Sequence, residues 1–225
     1  MKKNLFLIGS ILVLLFSCAK EESENVNQDS IYSIYELFYD IDADITTARA
    51  TFRFGGPTGT LLDLSPPAVV TFNGDKLLYN SVFGFHKKEY TGFINSGEFV
   101  YTDLDNKTFT NNTPTTNTAA FPLIDTISAE SAFTFIWIGD PLAADETIAL
   151  TINGTQQSNF EIFSSSTEGA TELILPANKL QNLGVGDADW TLSRSYEKFT
   201  IDEGTSTGGR MAIWYSTTGS VYIDN

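Results

Sequence analysis

The sequence predicts an all-β protein built as two tandem β-sandwiches. Three observations lead there. Charged residues make up only 18% of the 225, aromatics reach 13%, and Thr, Ile and Val are frequent, a bias that suits strands and disfavours long surface helices. Apolar residues recur at every second position in short runs, as in Ile45–Phe54 and Thr147–Ile152. Between the runs lie clusters of Gly, Asn, Asp and Pro at spacings usual for sandwich turns.

The chain begins with basic Met1-Lys2-Lys3-Asn4 and an apolar stretch, Leu5 to Phe16, that is shorter than the roughly 20 residues a helix needs to cross a bilayer. Residues 1–17 thus read as a signal peptide. Cys18, the one cysteine, follows Leu15-Phe16-Ser17. Ala19 to Asp29 is polar, rich in Glu and without apolar period, so residues 18–30 read as a flexible acidic tether. With no second cysteine a disulfide is excluded, and the fold must rest on its core.

A first sandwich is expected over 31–112. In Ile45–Phe54, Ala48, Ala50, Phe52 and Phe54 share one face, with Thr and Arg on the other. Val69–Phe72 runs into Asn73-Gly74, which tolerates the positive φ of a tight hairpin turn. Strands at 90–94, 98–102 and 107–110 follow, the last two joined by a turn at 103–106. Residues 113–120 lie in a Thr- and Asn-rich stretch without bulky apolar residues and read as a linker. A second sandwich is expected over 121–225. It holds a buried strand at 132–138, an alternating one at 147–152, an Asn153-Gly154 turn and one short helix framed by Pro176 and Gly184, with Leu180 and Leu183 one turn apart. Trp190 and Leu192 share a strand face, with Arg194 and Tyr196 in phase, and 211–216 pairs with 220–223 across a hairpin turn at 217–219. The two units span about 85 and 105 residues, sizes usual for immunoglobulin-like sandwiches.

Leu15, Ser17 and Cys18 resemble the lipobox of bacterial lipoprotein precursors. That resemblance implies acylation of the Cys18 thiol, a nucleophile as its thiolate, and cleavage before it. The acidic stretch behind Cys18 is similar to the surface-export signal of Bacteroidetes lipoproteins. ELILPANKLQNLGVGDADWTLSRS (172–195) and GEFVYTDLDNKTFTN (97–111) look like the strand–helix–strand corner and closing hairpin of immunoglobulin-like domains in such lipoproteins, without the Cys pair of antibody domains. The resemblance implies an outer-membrane, surface-exposed location with lipid as the membrane contact.

The net charge is −15; loss of Lys2 and Lys3 with the signal peptide lowers it to −17. Such a field disfavours nucleic acid as a partner. Asp40, Asp42 and Asp44 are spaced like the opening of a calcium loop and are the metal candidates, although the Gly at the sixth place and Glu at the twelfth are missing. No other cofactor is indicated. His86, the sole histidine, reads as a surface residue. Trp137 and Trp190 read as core, and Trp214 as the candidate ligand-stacking residue, since it lies out of phase with Met211 and Ile213. Asp29-Ser30-Ile31 and Asp125-Thr126-Ile127 fit the O-glycosylation pattern of the same group of bacteria, which makes Ser30 and Thr126 candidate attachment sites.

No motif for a nucleophile, base or metal stands out, so the expected function is a non-catalytic binding, adhesion or scaffold module with an extracellular protein or glycan partner. Alternatives are a glycan-binding accessory protein of a nutrient-uptake system, a fimbrial-type subunit, and a hydrolase with facing carboxylates. Arg49, inside a strand, speaks against the processing site a fimbrial subunit would carry.

Overall fold

The computed structural model describes residues 20–155 and 159–225. Among the described residues strands dominate, with one short α-helix. The first part of the chain contributes β1 (Lys20–Glu22), β2 (Ile31–Asp40), β3 (Ile45–Phe54), β4 (Thr60–Asp63), β5 (Val69–Phe72), β6 (Asp75–Lys76), β7 (Leu78–Asn80), β8 (Phe85–Thr91), β9 (Glu98–Thr102) and β10 (Thr108–Asn112). Then follow β11 (Thr126–Ser128), β12 (Phe133–Ile136), β13 (Glu146–Asn153), β14 (Phe160–Ser165), β15 (Glu172–Leu175), α1 (Ala177–Leu183), β16 (Gly186–Lys198) and β17 (Gly209–Asp224).

A single large sheet runs in the order β1-β4-β3-β2-β17-β16-β13-β14, with β8 also on β3, β7 on β8 and β11 on β17. A four-stranded sheet, β10-β9-β5-β6, and a two-stranded one, β12-β15, complete the fold. Two buried apolar clusters result. One holds Tyr35, Leu37, Ala48, Ala50 and Phe52 from β2 and β3 against Val70, Phe72, Phe99 and Tyr101 from the four-stranded sheet. The other gathers Ile148, Leu150, Ile152, Trp190 and Leu192 with Phe135, Leu173, Leu175 and the helix residues Leu180 and Leu183.

The long strands belong to both. Met211, Ile213 and Tyr215 of β17 lie in the first cluster, and Val221 and Ile223 of the same strand in the second. β17 runs parallel to β2 from Gly209↔Ser33 to Ser216↔Asp40 and antiparallel to β16 from Met211↔Lys198 to Ile223↔Gly186. The sequence expects a hairpin at 217–219, and the structure has an unbroken strand there. The 13-residue β16 offers partners all along it, so a turn would forfeit ladder hydrogen bonds. Gly219 serves close packing: a Cβ there would lie 2.7 Å from Nε1 of Trp190.

Several elements follow the sequence closely. β3 spans Ile45–Phe54 with Ala48, Ala50 and Phe52 fully buried. Asn73 and Gly74 both have positive φ, 50° and 82°, and link β5 to β6. α1 ends at Gly184 with φ 78°. Others differ. At Asn153-Gly154 the glycine has no positive φ; a Cβ on it would strike the backbone carbonyl of Leu183. The 132–138 strand is not buried throughout: it alternates, leaving Ile136 and Ile138 more than half exposed.

Residues 20–30, expected as a flexible tether, lie against the body. β1 pairs parallel with β4, Ser23 is fully buried and its hydroxyl accepts the Ser65 N–H at 2.8 Å, and Asn27 accepts the Asp29 N–H. A polar composition leaves a segment free only where no neighbouring edge offers backbone partners, and β4 offers one. The 113–120 stretch is tied down likewise: Thr116 is buried and donates to the Tyr215 hydroxyl at 2.6 Å.

Shared strands should make the two clusters unfold together. Ile213→Ala in the first and Leu150→Ala in the second should each cost about 2–5 kcal/mol and lower the melting temperature by about 5–15 °C. Tryptophan fluorescence and far-ultraviolet circular dichroism should follow one coincident transition in both variants; two transitions, with only one moved, would contradict this.

Candidate functional site

β3 is longer than either strand on its outer flank. Phe52–Phe54 pair with Thr60–Leu62 of β4, whereas Ile45–Ala50 pair with His86–Thr91 of β8. The sheet therefore splits where β3 changes partner, with β4 and β1 on one side and β8 and β7 on the other. Across the same corner the chain crosses between sheets, from β6 at the edge of the four-stranded sheet through buried Leu77 to β7 at the edge of the large one. Two adjoining cavities of about 460 and 320 Å³ share Lys76, Leu78 and Tyr79; the smaller lies at this split and the larger beside it on β7 and β8. Both fall in the size range of small-molecule sites, roughly 300–1,000 Å³.

His86 lines the smaller cavity at the point of the split. It is buried, not on the surface, because β8 alternation turns it inward against the edge of Phe52, with ring centroids 5.7 Å apart. Its cross-strand neighbour Tyr79 lies at 4.8 Å. Among the described residues neither Nδ1 of His86 nor the hydroxyl of Tyr79 has a partner within ordinary hydrogen-bond geometry, although Lys20 interacts with Tyr79 and the Ala50 backbone with His86. Burial pushes the His86 pKa down to about 4, and the positive charges of Lys76 and Lys20 act in the same direction. The imidazole is thus neutral at neutral pH.

Lys20 reaches across the split from β1. Its Nζ sits 4.1 Å from the centre of the Tyr79 ring and 3.8 Å from an Asp63 carboxylate oxygen. On the outer side, Lys87 pairs with Glu89 at 2.6 Å and Lys88 with Asp75 at 2.9 Å. Lys76 has no ion pair among the described residues. Leu78 on β7 lines both cavities and is 68% exposed, and Val82 and Phe83 in the β7–β8 turn are 82% and 66% exposed. Phe83 stacks on Phe85, and the Arg49 guanidinium lies over Phe85 at 4.8 Å.

The other sequence candidates lie elsewhere. Asp40, Asp42 and Asp44 do not converge. Asp40 accepts the Asp42 and Ala43 N–H groups of the β2–β3 turn, Asp44 accepts from Tyr39, and Asp42 accepts from the Thr217 and Thr218 hydroxyls and the Thr218 N–H. Among the described residues no group of three or more His, Cys, Asp or Glu side chains is arranged to hold a metal. Asp42 instead fastens the turn to β17 where that strand passes from one cluster to the other. These bonds hold its carboxyl below the ordinary value.

Trp214 is half-buried and stacks on Phe38 at 4.9 Å, part of a ladder in which Arg49 covers Phe38. Trp137 and Trp190 are buried, Trp190 stacked on Phe121. Ser30 is half-buried and Thr126 exposed. Cys18 lies outside the described residues. No helix among the described residues is long and apolar enough to cross a membrane.

The cleft itself is missed by the sequence reading. Its one sequence signal is Leu78, Val82 and Phe83 standing among polar residues at 73–89, next to three of the chain's few lysines.

No family model matches the chain, and no curated protein matches it either. Among solved structures, one described as "Structural insight into host cell surface retention of a 1.5-MDa bacterial ice-binding adhesin" is 14% identical, with a TM-score of 0.24 over 88% of this chain and 67% of that one. The FN1–FN3 domains of chicken CNTN1 are 8% identical, with a TM-score of 0.26 over 85% and 67%. Overlaps of this size establish no shared function.

Because His86 is the sole histidine, its ring protons can be followed by NMR in the full-length chain without assignment. They should titrate near pH 4. With the folded value below the ordinary 6.5, the unfolded chain binds the proton first, so the contribution to stability is full above about pH 6.5 and drains as pH falls toward about 4, by at most about 3 kcal/mol. Titration near 6.5 would contradict the buried placement. Asp42→Ala should destabilise by about 1 kcal/mol, equally in calcium and in chelator, as measured by urea melts.

Proposed function

We propose that the chain is a non-catalytic binding module, displayed on the bacterial surface by lipid on Cys18, with the β4/β7 cleft and the β7–β8 turn as its binding face. The carrying observation is the cleft: a cavity pair beside a sheet split, lined by exposed Leu78 and followed along the chain by exposed Val82 and Phe83 of the β7–β8 turn. Clustered apolar side chains next to a formed cavity are the usual mark of a recognition surface. The groups lining it suit binding more than turnover. Lys87 and Lys88 are paired with carboxylates, and neutral His86 is walled by Phe52 and Tyr79 with no carboxylate bonded to it to orient it as a base.

The tandem immunoglobulin-like organisation, 31–112 and 121–225 around a 113–120 connection, belongs to the same reading. It is supported by the two buried clusters, although β16 and β17 serve both. The lipobox at 15–18 supports the anchor. In the wider reading, Thr126, exposed on β11, is the better placed of the two O-glycosylation candidates.

Two experiments test this. Cells expressing the full-length chain and fed an alkyne-tagged palmitate should label it, and Cys18→Ser should abolish the label; retained label would rule out this anchor. Cross-linking on intact cells should capture a partner with the parent chain and at least tenfold less with a Leu78→Glu, Phe83→Glu double variant of unchanged circular dichroism. Equal capture by both would place the binding face elsewhere.

A further inference from the structure

Resting on the cleft as the binding face, we infer that its ligand is an acidic saccharide: a small, hydroxyl-rich group carrying a carboxylate or sulfate. The charge comes first. The whole chain is strongly acidic at −15, yet the larger cavity is lined by Lys76, Lys87 and Lys88 with Glu89, and with Asp75 paired to Lys88 beside it one positive charge is left in excess. A local cationic site in an acidic body selects anions at short range, within a Debye length of about 8 Å at physiological salt, while the distant field repels them. Lys76, without an ion-pair partner among the described residues, is the cation free to take the ligand's charge.

The shape comes second. Cavities of about 460 and 320 Å³ joined through Lys76, Leu78 and Tyr79 are large enough for one or two sugar units. Leu78 and Tyr79 supply the apolar wall that the C–H face of a pyranose ring packs on.

The third observation is the pair of polar atoms without partners. Nδ1 of His86, on a residue 95% buried, and the hydroxyl of Tyr79 belong to residues that line the smaller cavity, and both atoms are closed to solvent until a side chain turns. Buried polar atoms left unpaired are costly, and a ligand that supplies their partners recovers that cost. Neutral His86 is both a donor and an acceptor, and so is the Tyr79 hydroxyl, which matches sugar hydroxyls better than a bare anion such as phosphate.

The full-length chain in neutral detergent should be titrated calorimetrically with digalacturonate and a sulfated chondroitin disaccharide. Controls are the methyl ester of the first, the unsulfated form of the second, inorganic phosphate and hexaglutamate. Binding is expected for at least one acidic saccharide, weakening with salt and by at least tenfold in Lys76→Glu, a surface change that leaves the fold intact by circular dichroism. Neutral counterparts should not bind.

Binding of acidic and neutral forms alike, indifference to Lys76→Glu, or equal binding of phosphate or hexaglutamate would each overturn the inference. So would failure of both acidic saccharides. If they fail while the Leu78→Glu, Phe83→Glu variant still loses its cross-linked partner, the binding-face reading stands and the saccharide does not.

Discussion

The antiparallel ladder between β16 and β17 is the constraint on which the rest depends. Thirteen consecutive residue pairs, Gly186↔Ile223 to Lys198↔Met211, run through both buried clusters. A ladder of that length fixes register throughout, because a slip of β17 by one residue would turn Ile213, Tyr215, Val221 and Ile223 to the outside at once. The middle of the ladder carries the means of crossing from one core to the other. Arg194 and Glu146 form a buried ion pair there, with the guanidinium also donating to the carbonyls of Asp140 and Pro141 at 2.8 and 2.9 Å. Every charge in the pair is answered, which a buried pair requires.

That ladder also decides where the sheet is open. β2 is enclosed between β17 and β3, and both its faces are buried, the outer one because Glu36 draws Arg49 and Arg210 over it. β3 is the next strand out, and its flank must be covered by two short elements, β4 and β8, that meet at Ala50–Phe52. A cavity at the junction follows from the geometry: two strands ending side by side cannot close the gap that one continuous strand would fill. The strands β4, β6 and β7 that frame the cleft are among the shortest in the fold.

The alternation that marks β3 and β13 in the sequence is legible because a half-buried strand imprints its period on the residues. α1 is legible through Pro176, Gly184 and the Leu180–Leu183 pair. The course of β17 is not. Thr217-Thr218-Gly219 has the composition of a turn, and nothing local records that Asp42 grips the two threonines or that Trp190 needs the space beside the glycine. His86 is hidden for the same reason. Its polar neighbours Lys87, Lys88 and Glu89 suggest an exposed stretch, but β8 is paired on both flanks, with its inward positions sealed by Phe52. Contacts remote in sequence override local pattern in all these places, and the cleft is made only of such contacts.

The distribution of basic residues separates structure from function. Arg49, Arg194 and Arg210 meet carboxylates on the central strands, where planar multi-donor groups satisfy buried oxygens well. Lysines take the cleft instead: Lys20, Lys76, Lys87 and Lys88 stand around it on long, hydrated side chains. An exposed lysine pair adds little to stability, about 0–1 kcal/mol, so folding alone does not account for drawing four of them to one corner of an acidic chain. The acidic ligand inferred for the cleft would account for it, with Asp63, Asp75 and Glu89 answering three of the four in the meantime. The same side chains that hold Glu89 and Asp75 in the free protein can turn to it at small cost, because the bonds they leave are screened and solvent-exposed.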